Sequence, residues 1–173
     1  MILDLQHIDP QRIAAIDSSG AELRYAEISQ LSKHITSLIP TRSLCFLLVE
    51  NNVGGIAWVM SMLDSRQLVP LILNVKTEDT LYQQLLYTYQ PTYICAPNHF
   101  AVQGEVVDCQ YEYTLTKISD TTPTLYGELS HLLPTSGSTG SPKLVRHKYG
   151  NIEAAGLNIS TFFELKESDR PLM

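Results

Sequence analysis

No stretch of this 173-residue chain stays apolar long enough to span a bilayer. The best candidate, which ends at Val49, is interrupted by Glu50-Asn51-Asn52. The first residues, Met1 to His7, lack a basic region followed by an apolar one, so no signal peptide is expected. Cysteine is scarce. Cys45, Cys95 and Cys109 are odd in number and too far apart for a metal knuckle, and the five histidines show no ligand spacing. The expectation is a cytoplasmic, reducing location, no disulfide framework and no metal site. Positive charge is also in short supply: 12 Lys and Arg stand against 18 Asp and Glu, for a formal charge of −6. That balance argues against nucleic acid or an anionic membrane as partner. With 44% hydrophobic and 17% charged residues, the composition is that of a folded globular protein.

What the chain has instead is an alternation of strand-like and helix-like segments. Ala14–Asp17 and Glu22–Tyr25 flank Ser18-Ser-Gly20, which predicts a hairpin. Ile28, Leu31, Ile35 and Leu38 recur at helical spacing and predict an amphipathic helix from about Ala26 to Leu38. Leu44–Val49 is a continuous apolar run, expected of a parallel strand covered on both faces. Asn51-Asn52 can cap a helix running through Ile56, Val59, Met60 and Leu63, and Leu68–Leu73 is a second buried strand. Thr77 is expected to cap a third helix with Glu78 and Asp79 in its first turn. Tyr93–Ala96 is a third strand, stopped by Pro97, and Ile152, Ala155, Ile159 and Phe162 mark a last helix. Strands separated by helices of this length imply βαβ crossovers and an α/β fold with a mostly parallel sheet. The two cysteines inside strand runs, Cys45 and Cys95, are expected to be core residues.

The segment that carries chemistry is Leu133-Pro-Thr-Ser-Gly-Ser-Thr-Gly-Ser-Pro-Lys143, in which seven residues are Gly, Ser or Thr. Such a loop can turn backbone N–H and hydroxyl donors toward one anion, and Lys143 adds a positive charge. Apolar residues on both sides suggest a loop slung between two strands. It is not a Walker loop: counted from Gly137, the second glycine is Pro142 and the magnesium hydroxyl is Leu144. It is not G-x-G-x-x-G either, because Gly137 and Gly140 have no third glycine in register. Of the cations in residues 141–150, Lys143 is assigned to the anion. Arg146 and Lys148 are expected to be solvent-facing positions of an edge strand.

Thr135 through Lys143 matches T-S-G-[ST]-T-G-x-P-K at every specified position, and so resembles the phosphate-binding loop of the adenylate-forming enzymes. These comprise acyl-CoA synthetases, luciferases and the adenylation domains of peptide synthetases. Leu23-Arg-Tyr-Ala-Glu-Ile28 is similar to that family's L-[ST]-Y-x-E-L segment. One departure is visible: the turn after the second helix, Asp64-Ser-Arg-Gln67, lacks the glycine usual there. The resemblance implies the N-terminal subdomain of the adenylate-forming fold. Residues 1–173 would be the N-terminal part of an AMP-binding domain, ending just after the phosphate loop and the following helix. The rest of the large domain and the C-terminal lid would be absent, since neither Y-G-x-T-E nor the family's later ribose-binding aspartate and catalytic lysine is identifiable.

The resemblance further implies ATP with Mg2+ as cofactor, a carboxylic acid as substrate, and a thiol acceptor such as coenzyme A or carrier-protein phosphopantetheine. Thr135, Ser136, Ser138 and Thr139 would bond the β- and γ-phosphates, Gly137 and Gly140 would allow close backbone approach, and Lys143 would offset pyrophosphate charge. No catalytic residue is identified in the chain, which alone is expected to be inactive. The alternatives are a naturally truncated, non-catalytic scaffold that associates through its unfinished sheet edge, and a nucleotide-phosphate-binding module sharing only the loop.

Overall fold

The computed structural model describes Leu5 and residues 7–135, 143–166 and 168–169. A two-stranded antiparallel hairpin comes first, β1 (Ile13–Ile16) and β2 (Glu22–Arg24). The chain then alternates α1 (Tyr25–Leu38), β3 (Ser43–Val49), α2 (Val53–Ser65), β4 (Leu68–Asn74), α3 (Asp79–Tyr89) and β5 (Tyr93–Pro97). A hairpin, β6 (Glu105–Gln110) and β7 (Tyr113–Lys117), is followed by β8 (Leu129–Pro134), β9 (Leu144–Lys148) and α4 (Tyr149–Phe162). Seven strands form one sheet in the order β6-β7-β5-β3-β4-β8-β9. The four central strands are parallel, as expected, and antiparallel hairpins at both margins make the sheet mixed.

The apolar run of β3 divides by its two-residue period. Cys45 and Leu47 pack with α1 and α2, together with Ile28, Leu31, Ile35, Ala57, Trp58 and Met62. Leu44, Phe46 and Leu48 point to the opposite face, against Tyr82 and Leu85 of α3. Both faces are therefore covered, which is why the sequence shows no polar alternation there. Cys45 and Cys95 are buried free thiols, as expected, and Cys109 is exposed.

The helix signals hold, with two corrections. Asn52 caps α2, its Oδ1 accepting from Gly55 N at 2.8 Å. The face α2 buries most deeply, however, is Ala57, Trp58, Ser61 and Met62, while Ile56, Val59 and Met60 are only partly buried against the core. Thr77 does not cap α3. The N-cap position is Glu78, without a side-chain cap bond, and the Thr77 hydroxyl instead donates to Asn74 O at 2.6 Å. Thr77 closes the turn that leaves β4, a local bond its short side chain makes more readily than a cap. In α1 the Glu27 carboxylate accepts from Arg24 N at 2.7 Å, which secures the first turn of the Leu23–Ile28 segment.

The β6–β7 hairpin was not anticipated. Its two turn residues, Tyr111 and Glu112, both have positive φ, 53° and 62°, where asparagine or glycine is the usual signal. Tertiary contacts hold this turn. Trp58 Nε1 donates to Gln110 O at 3.1 Å and the Tyr111 hydroxyl donates to Glu27 at 3.3 Å. The start of α2 lies close against it as well, with Gly54 facing Tyr111 O.

Candidate phosphate-binding hairpin

Strands β8 and β9 pair antiparallel, with Leu129 opposite Lys148, His131 opposite His147, Leu133 opposite Val145 and Pro134 opposite Leu144. The predicted loop is thus the connection of a hairpin between two strands. Thr135 N donates to Lys143 O at 3.0 Å, and the Thr135 hydroxyl reaches the same carbonyl at 3.1 Å. These two bonds bring the first and last residues of the motif together and close the mouth of the loop. Of the expected site residues, Thr135 and Lys143 are both exposed; Ser136, Gly137, Ser138, Thr139 and Gly140 lie outside the described residues.

The path of the chain separates this loop from Walker-type sites. There a strand runs through the loop directly into a helix whose N-terminus holds the phosphate. Here five residues of β9 intervene, and α4 begins at Tyr149, at the far end of the hairpin from the loop. Positive charge at the loop therefore falls to Lys143. Arg146 and Lys148 are exposed on β9, the last strand of the sheet, as expected, and Lys148 Nζ lies 5.5 Å over the Tyr126 ring. Among the described residues no group of three His, Cys, Asp or Glu could hold a metal. The hairpin strands and loop contain no carboxylate, and none of their residues is assigned to a metal.

Below the loop the hairpin carries a cross-strand ring pair that the sequence did not reveal. His131 and His147 stack with centroids 4.4 Å apart and planes 2° from parallel. Ser130 Oγ donates to His147 O at 2.9 Å and lies 3.1 Å from His131 Nδ1. With its one proton so used, Ser130 can only accept from His131, which places the ring proton on Nδ1. Burial, with the neighbouring His147 ring, lowers the His131 pKa to about 4.

An unfolded histidine titrates near 6.5, so between those values the unfolded chain binds more protons. The contribution of neutral His131 is complete above about pH 6.5 and is lost as pH falls toward 4. Discounted for the partial exposure of the ring, it amounts to about 1–2 kcal/mol. Urea unfolding at pH 7 and pH 4.5 is expected to show that loss in the wild type and a reduced one in His131→Phe. An identical pH slope in the variant would assign the loss to other groups.

The sheet and its hairpin define the fold of the N-terminal part of the adenylate-forming enzymes. No family profile and no curated protein matches the sequence; the likeness is to solved structures. Bacillus subtilis o-succinylbenzoate CoA synthetase (MenE), bound to its acyl-adenylate intermediate, superposes with a TM-score of 0.74 at 20% identity. The match covers 98% of this chain and 47% of that one. The same enzyme with ATP and magnesium ion gives 0.71 at 18% identity, over 98% and 48%. Apo MatB from Rhodopseudomonas palustris gives 0.68 at 14% identity, over 95% and 37%. This chain spans about half the length of MenE in these two comparisons. Among the described residues no helix is long and apolar enough to cross a membrane.

Proposed function

We propose that this chain is the phosphate-loop portion of an ATP-dependent carboxylate-activating ligase. In that reaction a substrate carboxylate attacks the α-phosphate of ATP, pyrophosphate leaves, and the acyl-adenylate then passes its acyl group to a thiol, releasing AMP. Residues 1–173 form the first part of the AMP-binding domain. No pocket for the acid, no site for the acceptor thiol and no catalytic group is assigned to a residue of this chain. The observation that carries the proposal is the match of Thr135–Lys143 to the family's loop at every specified position, held between β8 and β9 of the same fold.

The chemistry assigned to the loop is electrostatic. Thr135, Ser136, Ser138 and Thr139 donate to β- and γ-phosphate oxygens. For Thr135 this means a rotation of its hydroxyl away from Lys143 O. Gly137 and Gly140 let the backbone close on the anion, and the Lys143 ammonium balances charge that builds on the departing pyrophosphate. Loss of one such aimed donor typically raises a barrier by about 3 kcal/mol.

One surface bears on the choice between this reading and the scaffold alternative. Nearly all of α4 is exposed, Phe162 and Phe163 at 80% and 66%, and β9 ends the sheet. The occupant that fits this surface is the second half of the fold, the portion that makes MenE twice as long. Intact mass of the natural protein, with the reading frame sequenced past Met173, separates the two. A chain several hundred residues long that continues into Y-G-x-T-E and a late lysine is the outcome expected of a ligase. A stop codon after Met173 leaves a scaffold or phosphate-binding module.

A further inference from the structure

The turn that lacks the family's glycine is the best-connected point below the hairpin. Arg66 is the C-cap of α2 in a left-handed conformation, φ 59°, with its N–H donating to Met62 O at 3.2 Å. A side chain in that conformation costs roughly 1 kcal/mol relative to glycine. Its carbonyl accepts from Arg42 Nε at 3.0 Å. The other two nitrogens of Arg42 donate to carbonyls at the start of the hairpin, Nη1 to Tyr126 O at 2.8 Å and Nη2 to Leu129 O. The Arg66 guanidinium meanwhile lies over the Tyr149 ring, 4.2 Å from its centroid, where the chain leaves β9. Tyr149 N in turn donates to Glu128 O at 3.2 Å. Leu129 and Lys148 are the first cross-strand pair of the hairpin, so both of its feet rest on the α2 C-cap through two arginines.

We infer that Arg42 and Arg66 form a guanidinium seat that fixes both feet of the β8–β9 hairpin, and with them the placement of Thr135 and Lys143 at its other end. They are positioning residues for phosphate binding, an assignment of purpose that rests on the proposed function. The chemistry suits arginine alone. Three carbonyls in different directions need the planar fork of Arg42, and a stacked cation needs the flat face of Arg66. Lysine at position 42 keeps the charge but cannot reach three acceptors at once.

The test compares the wild type, Arg66→Gly, Arg42→Lys and the double variant by amide hydrogen exchange and by calorimetric titration with inorganic tripolyphosphate. Glycine suits the left-handed cap, so Arg66→Gly is expected to keep the wild-type melting temperature or raise it slightly. Both single variants are expected to speed exchange in β8 and β9 about tenfold, with β3 and β4 unchanged, because the hairpin opens locally. Looser placement of Thr135 and Lys143 within the paired hairpin should raise the tripolyphosphate Kd about fivefold. The double variant should add little, since both arginines serve one seat.

Unchanged exchange in β8 and β9, or acceleration spread evenly over β3 and β4, overturns the seat. Accelerated exchange with an unchanged tripolyphosphate Kd overturns the positioning role. A wild type that binds no tripolyphosphate removes the phosphate-loop function, while exchange still decides whether the seat exists.

Discussion

Replacing Gly54 by alanine is expected to lower the melting temperature by roughly 6–12 °C. Position 54 is inside the first turn of α2, where the backbone itself would welcome alanine. The penalty comes from what stands opposite. A Cβ there would lie 2.3 Å from Tyr111 O and 2.8 Å from Cε2 of Tyr113. The carbonyl belongs to the two-residue turn with positive φ, which has little freedom to retreat. The Tyr113 ring is buried, and its hydroxyl accepts from Glu50 N at 3.0 Å.

Overpacking of this kind costs about 3 kcal/mol, and each kcal/mol moves the midpoint of a chain of this length by about 2–4 °C. Gly156→Ala is the matching control. Nothing lies within 4 Å of a Cβ at that exposed position in α4, so the same substitution should be neutral or stabilising by up to about 1 kcal/mol. Equal melting shifts in the two variants, read by circular dichroism, would contradict the close approach of α2 to the β6–β7 turn.

Lys143→Ala is expected to weaken triphosphate binding by about 10- to 150-fold. This is the effect of removing a hydrogen bond to a charged group worth about 1.5–3 kcal/mol. Lys143 is exposed, and it is the residue whose carbonyl closes the loop mouth with Thr135. That closure uses backbone atoms of Lys143, so the alanine variant keeps it and loses only the ammonium. Stability should therefore stay within about 0.5 kcal/mol of wild type, as for surface substitutions generally. Arg146→Ala, on exposed β9, serves as the charge control. If both alanine variants weaken tripolyphosphate equally in calorimetry, the binding is diffuse attraction to a basic edge and Lys143 has no special role. Higher salt would then abolish the difference between the variants and the wild type.

The parts of the fold that could be read from the sequence are those in which one physical signal dominates. The apolar run of β3 and the period of Ile28, Leu31 and Ile35 each left one solution, and Asn52 capped the helix it precedes. The β6–β7 hairpin was hidden because Tyr111 and Glu112 take positive φ without the usual turn residues, held there by Trp58 and Glu27 from elsewhere in the chain. Gly54 carries no local signal, because its requirement comes from a carbonyl 57 positions later in the sequence. The missing glycine near Arg66 was visible, but its consequence was not, since Arg42 and Tyr149 meet it only through the fold.

At the candidate site, residue order singled out the Thr135–Lys143 motif, and the structure pairs its flanking strands, β8 and β9. The stacked pair of His131 and His147 depends on register, which no short motif encodes.

The most direct measurement is a titration of the 15N-labelled protein with sodium tripolyphosphate, followed through its amide resonances against sodium sulfate at equal ionic strength. A phosphate-binding loop predicts saturable shifts confined to residues 132–146, present with tripolyphosphate and absent with sulfate. Shifts that do not saturate, that scatter over the surface, or that sulfate reproduces would contradict the assignment of Thr135–Lys143 as a polyphosphate site.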